Sequence, residues 1–249
     1  MIAVIGGSGL TQLANLEITR RKIVRTPFGE PSGPLTFGRI GKQEVVFLAR
    51  HGYGHTLAPH EINYRANIWA IHAQQVTRVI SVCTVGGIAS ALGAGMIALP
   101  DQIIDYTWGR PSTFFEGAEQ PVTHIDFTHP YDEETRQMAL AAALDAGVAV
   151  FAGGTYAATQ GPRLETKAEI DRLDRDGATM VGMTGMPEAA LARELGLKYA
   201  ALAVVVNPAA GRGASAKTVS LDDISRVMDE TMGGIRLIVS RLVERHAGA

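Results

Sequence analysis

Only one cysteine, Cys83, occurs among 249 residues. A lone cysteine cannot close an internal disulfide, which removes the small disulfide-framed scaffolds and fits a reducing compartment. An excess of charge of one sign is missing as well: 23 Lys and Arg stand against 25 Asp and Glu, for a net charge of −2. No Lys/Arg block interrupts that balance, so the electrostatic footprint of a nucleic-acid binder is lacking. No apolar run has the length of a bilayer span. The opening, Met1-Ile2-Ala3-Val4-Ile5-Gly6-Gly7, is too short and too uncharged for a signal peptide. There is no internal repeat and no low-complexity tract. With hydrophobic residues at 46% and charged residues at 19%, the expectation is a cytoplasmic α/β chain forming one domain over residues 1–249.

What is present is a series of buried strands with polar exits. Lys198–Asn207 is a continuous apolar run bounded by Gly196 and Pro208, the pattern of a strand buried on both faces, and Asn207 is its last side chain. Ligands of open α/β sheets gather at the carboxyl ends of strands, although Asn-Pro is equally a turn dipeptide. Ile2–Ile5 runs into Gly6-Gly7-Ser8-Gly9, where backbone N–H groups and the Ser8 hydroxyl can face an anion. A plain tight turn is as good a reading of those glycines, and the third glycine of a dinucleotide fingerprint does not follow. Val45–Ala49 exits into Arg50-His51-Gly52-Tyr53-Gly54-His55, an electropositive mouth in which Arg50 offers a bidentate fork. A solvated turn with unrelated histidines is the alternative there.

The same layout continues along the chain. Arg78–Cys83 reads as a strand exiting at a second glycine turn, Thr84-Val85-Gly86-Gly87, and Val148–Tyr156 as a strand leading to Thr159–Thr166. Thr179–Gly182 precedes Met183-Thr184-Gly185-Met186 and a helix opened by Pro187, so Thr184 lies by a helix N-terminus that favours anions. Helices are expected over Glu61–Gln75, over Asp132–Ala146 with Gly147 closing it, after Thr166 with Glu169 in capping-box spacing, and from Ser220 to about Glu244. The box gives Glu165 an ordinary role as a first-turn acid. A long polar and aromatic loop covers Trp108–His129.

Taken together, Gly6-Gly7-Ser8-Gly9-Leu10, Leu48-Ala49-Arg50-His51-Gly52, Asn63-Tyr64-Arg65-Ala66-Asn67-Ile68-Trp69-Ala70, Gly161-Pro162-Arg163 and Met183-Thr184-Gly185-Met186-Pro187-Glu188 resemble the purine nucleoside phosphorylases, and among these the methylthioadenosine phosphorylase branch. The likeness runs in order from residue 2 to about residue 230. It implies a twisted, mixed β-sheet flanked by helices, a homotrimer, and phosphorolysis of a purine nucleoside with inorganic phosphate as co-substrate and no cofactor or metal. By position it implies phosphate contacts from Ser8, Arg50, His51, Thr84 and Thr184, and ribose contacts from Met183. His55 would lie near the phosphate or the 5′ end, and His124 would act as a lid residue from a neighbouring subunit. Asn207 and His51 would carry catalysis. Leu164 stands where the family places an aromatic residue against the purine.

The base-reading position departs from the adenine-specific branch, which has an acid there and another two residues on; this chain has Asn207 and Ala209. One amide can donate from its NH₂ to a purine O6 and accept a bond from N7–H on its C=O, whereas a carboxylate would oppose O6. The 6-oxopurine phosphorylases carry a Glu after Gly-Pro-x-x, and Glu165 stands there, able to accept from an N1–H that adenine lacks. The expected substrate is a 5′-methylthio 6-oxopurine nucleoside, cleaved to hypoxanthine and 5-methylthioribose 1-phosphate. The alternatives are an inosine/guanosine phosphorylase and a methylthioadenosine phosphorylase. Cys83-Thr84-Val85 and Pro208 are further departures from the family pattern.

Overall fold

The computed structural model describes residues 1–246 apart from Thr11, Gln12, Ala14, Glu119 and Gln120. In chain order the elements are β1 (Ile2–Gly6), β2 (Glu17–Lys22), β3 (Leu35–Ile40), β4 (Gln43–Ala49), α1 (Tyr64–His72), β5 (Arg78–Gly87), β6 (Ile97–Leu99) and β7 (Gln102–Asp105). There follow α2 (Glu133–Asp145), β8 (Val150–Ala152), β9 (Thr155–Ala158), α3 (Lys167–Arg175), β10 (Met180–Gly182), α4 (Glu188–Glu194), β11 (Lys198–Pro208) and α5 (Leu221–His246). No described helix is long and apolar enough to cross a membrane.

The strands form one mixed sheet with helices on both faces, the architecture expected from the sequence. Its centre is β11, whose side chains alternate between two cores, as the period of a strand requires. Tyr199, Ala201, Ala203 and Val205 pack with Ile68 and Ile71 of α1 and with Ala189 and Leu191 of α4. Ala200, Leu202 and Val204 pack with Ala139 and Ala142 of α2 and with Ile235, Ile238 and Leu242 of α5. A strand covered on both sides can be apolar throughout, hence the unbroken run in the sequence.

The sheet divides at β5. Its first half pairs in parallel with β1, from Ile2↔Arg78 to Ile5↔Ser81, while its end pairs antiparallel with β10 at Val181↔Gly86 and Met180↔Gly87. Between Ser81 and Gly86 that edge is left by β1 and not yet met by β10, so Cys83, Thr84 and Val85 border an opening. The other edge of β5 stays paired with β11 throughout, with one extra residue, Val206, between the pairs Val205↔Val85 and Asn207↔Gly86. Such a bulge re-aims the side chains that follow it. Because β1, β4, β5 and β11 run parallel, their carboxyl ends share one side of the sheet.

Several expected boundaries shift for physical reasons. Thr84–Gly87 is the end of β5 and not a glycine turn, because β10 and β11 both claim it with ladder hydrogen bonds. Val148–Tyr156 divides into β8 and β9 at Gly153 and Gly154, whose φ values of 106° and 100° interrupt extended backbone. Pro208 does not stop β11, since it remains paired opposite Gly87. The first helix begins at Tyr64, later than expected, because the Asn63 side chain caps it at Ala66 N. Pro187 caps α4 from outside, while the capping box of Thr166 and Glu169 forms as expected.

Gly87 has no room for a side chain: a Cβ there would lie 2.1 Å from the Leu92 carbonyl oxygen and 3.1 Å from Val205 Cγ1. Gly87→Ala must displace backbone at the division of the sheet and is expected to destabilise the protein by about 1–3 kcal/mol in urea titrations.

Candidate active site

The strand exits surround a cavity of about 560 Å³. Ser8 follows β1, Arg50 and His51 follow β4, Thr84 lies within β5, Met183 and Thr184 follow β10, and Asn207 stands near the end of β11; all seven line the cavity. Leu164, Glu165 and His55 also line it. Every candidate drawn from the sequence therefore converges on one space except His124, which is exposed and borders no part of its own chain's cavity.

Arg50 is held differently from the expectation of a free fork at an electropositive mouth. It is fully buried, and its paired face is taken by Glu188, Nε to Oε2 at 2.7 Å and Nη2 to Oε1 at 2.9 Å. Nη2 also reaches Ser81 Oγ at 2.6 Å, and Nη1 donates to the Val82 carbonyl at 2.9 Å. Of its five N–H groups, the second on Nη1 is the one these bonds leave over. Nη1 lies beside the Gly7 turn, 2.9 Å from where a Gly7 Cβ would stand. Burial disfavours the Arg50 charge, but Glu188 outweighs it and leaves the guanidinium more firmly protonated than usual.

Glu188 is the residue that sequence reading passed over, although it ends one of the recognised motifs. Its carboxylate is completely buried and also accepts from Ser81 Oγ and Tyr199 Oη, each at 2.8 Å. Four donated bonds surround one carboxylate, so the pair is satisfied within the protein. A charge pair made by residues 138 apart in sequence leaves no local pattern to read.

His51 lies on the cavity wall, 7% exposed. Its Nδ1 is 2.8 Å from the Leu57 carbonyl, a contact that requires the proton on Nδ1 and leaves Nε2 an acceptor in the neutral ring. Burial, and next the neighbouring Arg50 charge, pull its pKa down from 6.5 to about 4. The ring of His55 lies 4.5 Å away, centroid to centroid, and His55 Nε2 is 3.4 Å from Ser8 Oγ. Burial raises the Cys83 thiol to about 12, so it is no nucleophile at neutral pH despite bordering the cavity.

Across the cavity two groups carry the hydrogen bonds suited to a heterocycle. Asn207 Nδ2 donates to the Pro208 carbonyl at 2.6 Å, which fixes the amide and leaves one N–H and the Oδ1 free. Glu165 precedes the helix cap Thr166 and does not act as a first-turn acid; its Oε1 accepts from Thr159 Oγ1 at 2.7 Å. Thr159 was not identified from the sequence either. Thr184 is steadied by its backbone N–H, which donates to Tyr156 Oη at 3.3 Å. Leu164 is 42% exposed and offers an aliphatic face to the cavity.

With fold and cavity established, comparison places the chain. The model of the Phosphorylase superfamily matches residues 1–244, and the protein belongs to that family. A Xanthomonas campestris pv. campestris protein named "Probable S-methyl-5'-thioinosine phosphorylase" is 52% identical over 241 residues, covering 97% of this chain and 96% of its own. The 6-oxopurine nucleoside phosphorylase of Pyrococcus furiosus is 44% identical over 234 residues, covering 92% and 86%. Among solved structures, methylthioadenosine phosphorylase from Schistosoma mansoni in complex with adenine superposes with a TM-score of 0.95 at 30% identity, covering 100% of this chain and 92% of that one.

Two outcomes are expected from this geometry. Glu188→Gln leaves the buried Arg50 charge without its counter-ion and should lower stability by about 3–5 kcal/mol in urea unfolding. For His51, the folded state resists a proton that the unfolded chain accepts between pH 6.5 and about 4, so stability falls as pH falls through that window and levels off below it. The stability lost between pH 7 and pH 4.5 should shrink by roughly 2–3 kcal/mol in His51→Gln relative to the wild type.

Proposed function

We propose that this cavity catalyses phosphorolysis of S-methyl-5′-thioinosine, giving hypoxanthine and 5-methylthioribose 1-phosphate. The observation that carries the reading is Asn207, an amide pinned by the Pro208 carbonyl at the place where the adenine-specific branch has an acid. Its free N–H suits O6 and its Oδ1 suits N7–H, the two groups a 6-oxopurine presents as it leaves. Glu165, braced by Thr159, supplies an acceptor for N1–H, which adenine lacks. The names borne by the relatives at 52% and 44% identity support a 6-oxopurine substrate, and the first of them supports the methylthio group.

In this reading phosphate rests among Ser8, the free Nη1–H of Arg50, His51, Thr84 and Thr184, beneath C1′ of the sugar. The C1′–N9 bond breaks through an oxocarbenium-like transition state, as in glycoside cleavage generally, and phosphate oxygen then bonds to C1′. The electron pair of the broken bond passes to the purine, where Asn207 stabilises the charge as N7 takes a proton from solvent water. Met183 borders the ribose. No covalent enzyme intermediate and no cofactor take part; positioning and preorganised dipoles supply the rate. The reading includes a cytoplasmic homotrimer in which His124 of the partner subunit closes the 5′ end, which suits its exposure and its distance from its own chain's cavity lining.

The match to a 6-oxopurine nucleoside phosphorylase favours a second reading, in which inosine and guanosine are turned over as readily. Base release from methylthioinosine, inosine and methylthioadenosine, each with and without phosphate, separates the readings. Methylthioinosine is expected to be the best substrate, and only with phosphate; equal or faster turnover of methylthioadenosine would refute the base assignment. Asn207→Asp should shift the ratio of kcat/KM from 6-oxo towards 6-amino nucleosides by roughly 10²-fold or more.

A further inference from the structure

Arg110 lies on the long segment between β7 and α2, outside the lining of the cavity. It is 8% exposed, yet its cation is met by backbone carbonyls. Nη1 donates to Met183 O at 2.9 Å and Met186 O at 2.6 Å, and Nη2 to Gln160 O at 2.8 Å and Thr159 O at 3.3 Å. The Tyr64 ring lies 5.4 Å from Cζ, and Nε has no partner among the described residues. The two terminal nitrogens thus meet four carbonyls belonging to two different loops, and Nη1 also lies 3.3 Å from Tyr64 Oη.

Those loops hold the two halves of a nucleoside. Residues 183–186 follow β10, with Met183 on the proposed sugar side and Thr184 on the proposed phosphate side; residues 159–160 follow β9 and lead to Glu165. Thr159 links the guanidinium to the base side directly, since its carbonyl accepts from Arg110 and its hydroxyl donates to Glu165 at 2.7 Å. A planar fork with paired donors spans two loops at a fixed separation, which an ammonium on a flexible stem cannot do. The phosphate side is anchored by other bonds: Arg50 by Glu188 and Ser81, His51 by Leu57, and the Thr184 N–H by Tyr156.

We infer that Arg110 is a positioning residue that sets the distance between the base-reading loop and the loop of residues 183–186, and so governs nucleoside binding and reactivity more strongly than phosphate binding, to which that loop contributes Thr184 alone. This rests on the nucleoside phosphorylase reading of the cavity. The test is steady-state kinetics of Arg110→Lys and Arg110→Ala beside the wild type, with nucleoside and phosphate varied in turn, and with guanidinium or methylammonium added at millimolar concentration.

The nucleoside kcat/KM is expected to fall roughly 10²-fold in both variants, with the nucleoside KM rising several-fold more than the phosphate KM. Guanidinium should restore activity to Arg110→Ala, and methylammonium should not. Parallel rises in both KM values, a loss of Vmax matching a loss of folded protein with both KM values unchanged, or unaltered kinetics would each overturn the inference. Should Arg110→Ala fail to fold, the KM split in Arg110→Lys decides it. A wild type that releases no base with phosphate defeats the functional reading, and this inference with it.

Discussion

The ion pair of Arg50 and Glu188 lies where the two halves of the site meet. Arg50 arrives from the exit of β4, Glu188 from the start of α4, Ser81 from β5 and Tyr199 from β11, so a single cluster of hydrogen bonds joins four elements. Taking such charges out of water is costly, and the cost is offset only because nearly every donor and acceptor has a partner. The resulting geometry holds one N–H of Arg50 beside the Gly7 turn. It also adds to the environment of His51, whose pKa is lowered first by burial and next by the neighbouring Arg50 charge.

The division of the sheet gives that cluster something to act on. Were β1 to pair with β5 along its whole length, Thr84 would be enclosed within the sheet and there would be no opening between β1 and β10. The extra residue in β11 works to the same end by presenting Asn207 to the space that the parting strands create. Polar groups at strand ends are thereby brought to one volume without any long-range motion.

The sequence reveals these parts unevenly. Buried parallel strands announce themselves as apolar runs, which is why β1, β4, β5 and β11 and the polar residues at their exits could be read directly. The capping box at Thr166 was equally legible, because a cap is a local arrangement of three or four residues. What escaped was whatever depended on tertiary pairing. The end of β5 looked like a turn because Gly86 and Gly87 are turn residues by type, and only their two strand partners make them sheet. Arg50 looked free because its partner lies on a distant helix. Thr159 and Arg110 gave no signal, since their role lies in carbonyls and a hydroxyl that any loop possesses. Asn207, the proposed base reader, was visible because it is an exception within a recognisable pattern.

Pro208 gives Asn207 a chemical protection as well as an orientation. Asparagine side chains age spontaneously when the backbone nitrogen of the next residue attacks the amide carbon, expels ammonia and closes a succinimide ring, whose opening leaves isoaspartate and aspartate. The proline nitrogen has no hydrogen to give up and is locked in its own ring, so this route is closed at Asn207. In the function proposed above, an aspartate here would set a negative charge against purine O6, so deamidation would change the proposed base reader from within. The dipeptide Asn207-Pro208 therefore removes the fastest route by which an ageing molecule would lose the amide on which the proposed selectivity rests.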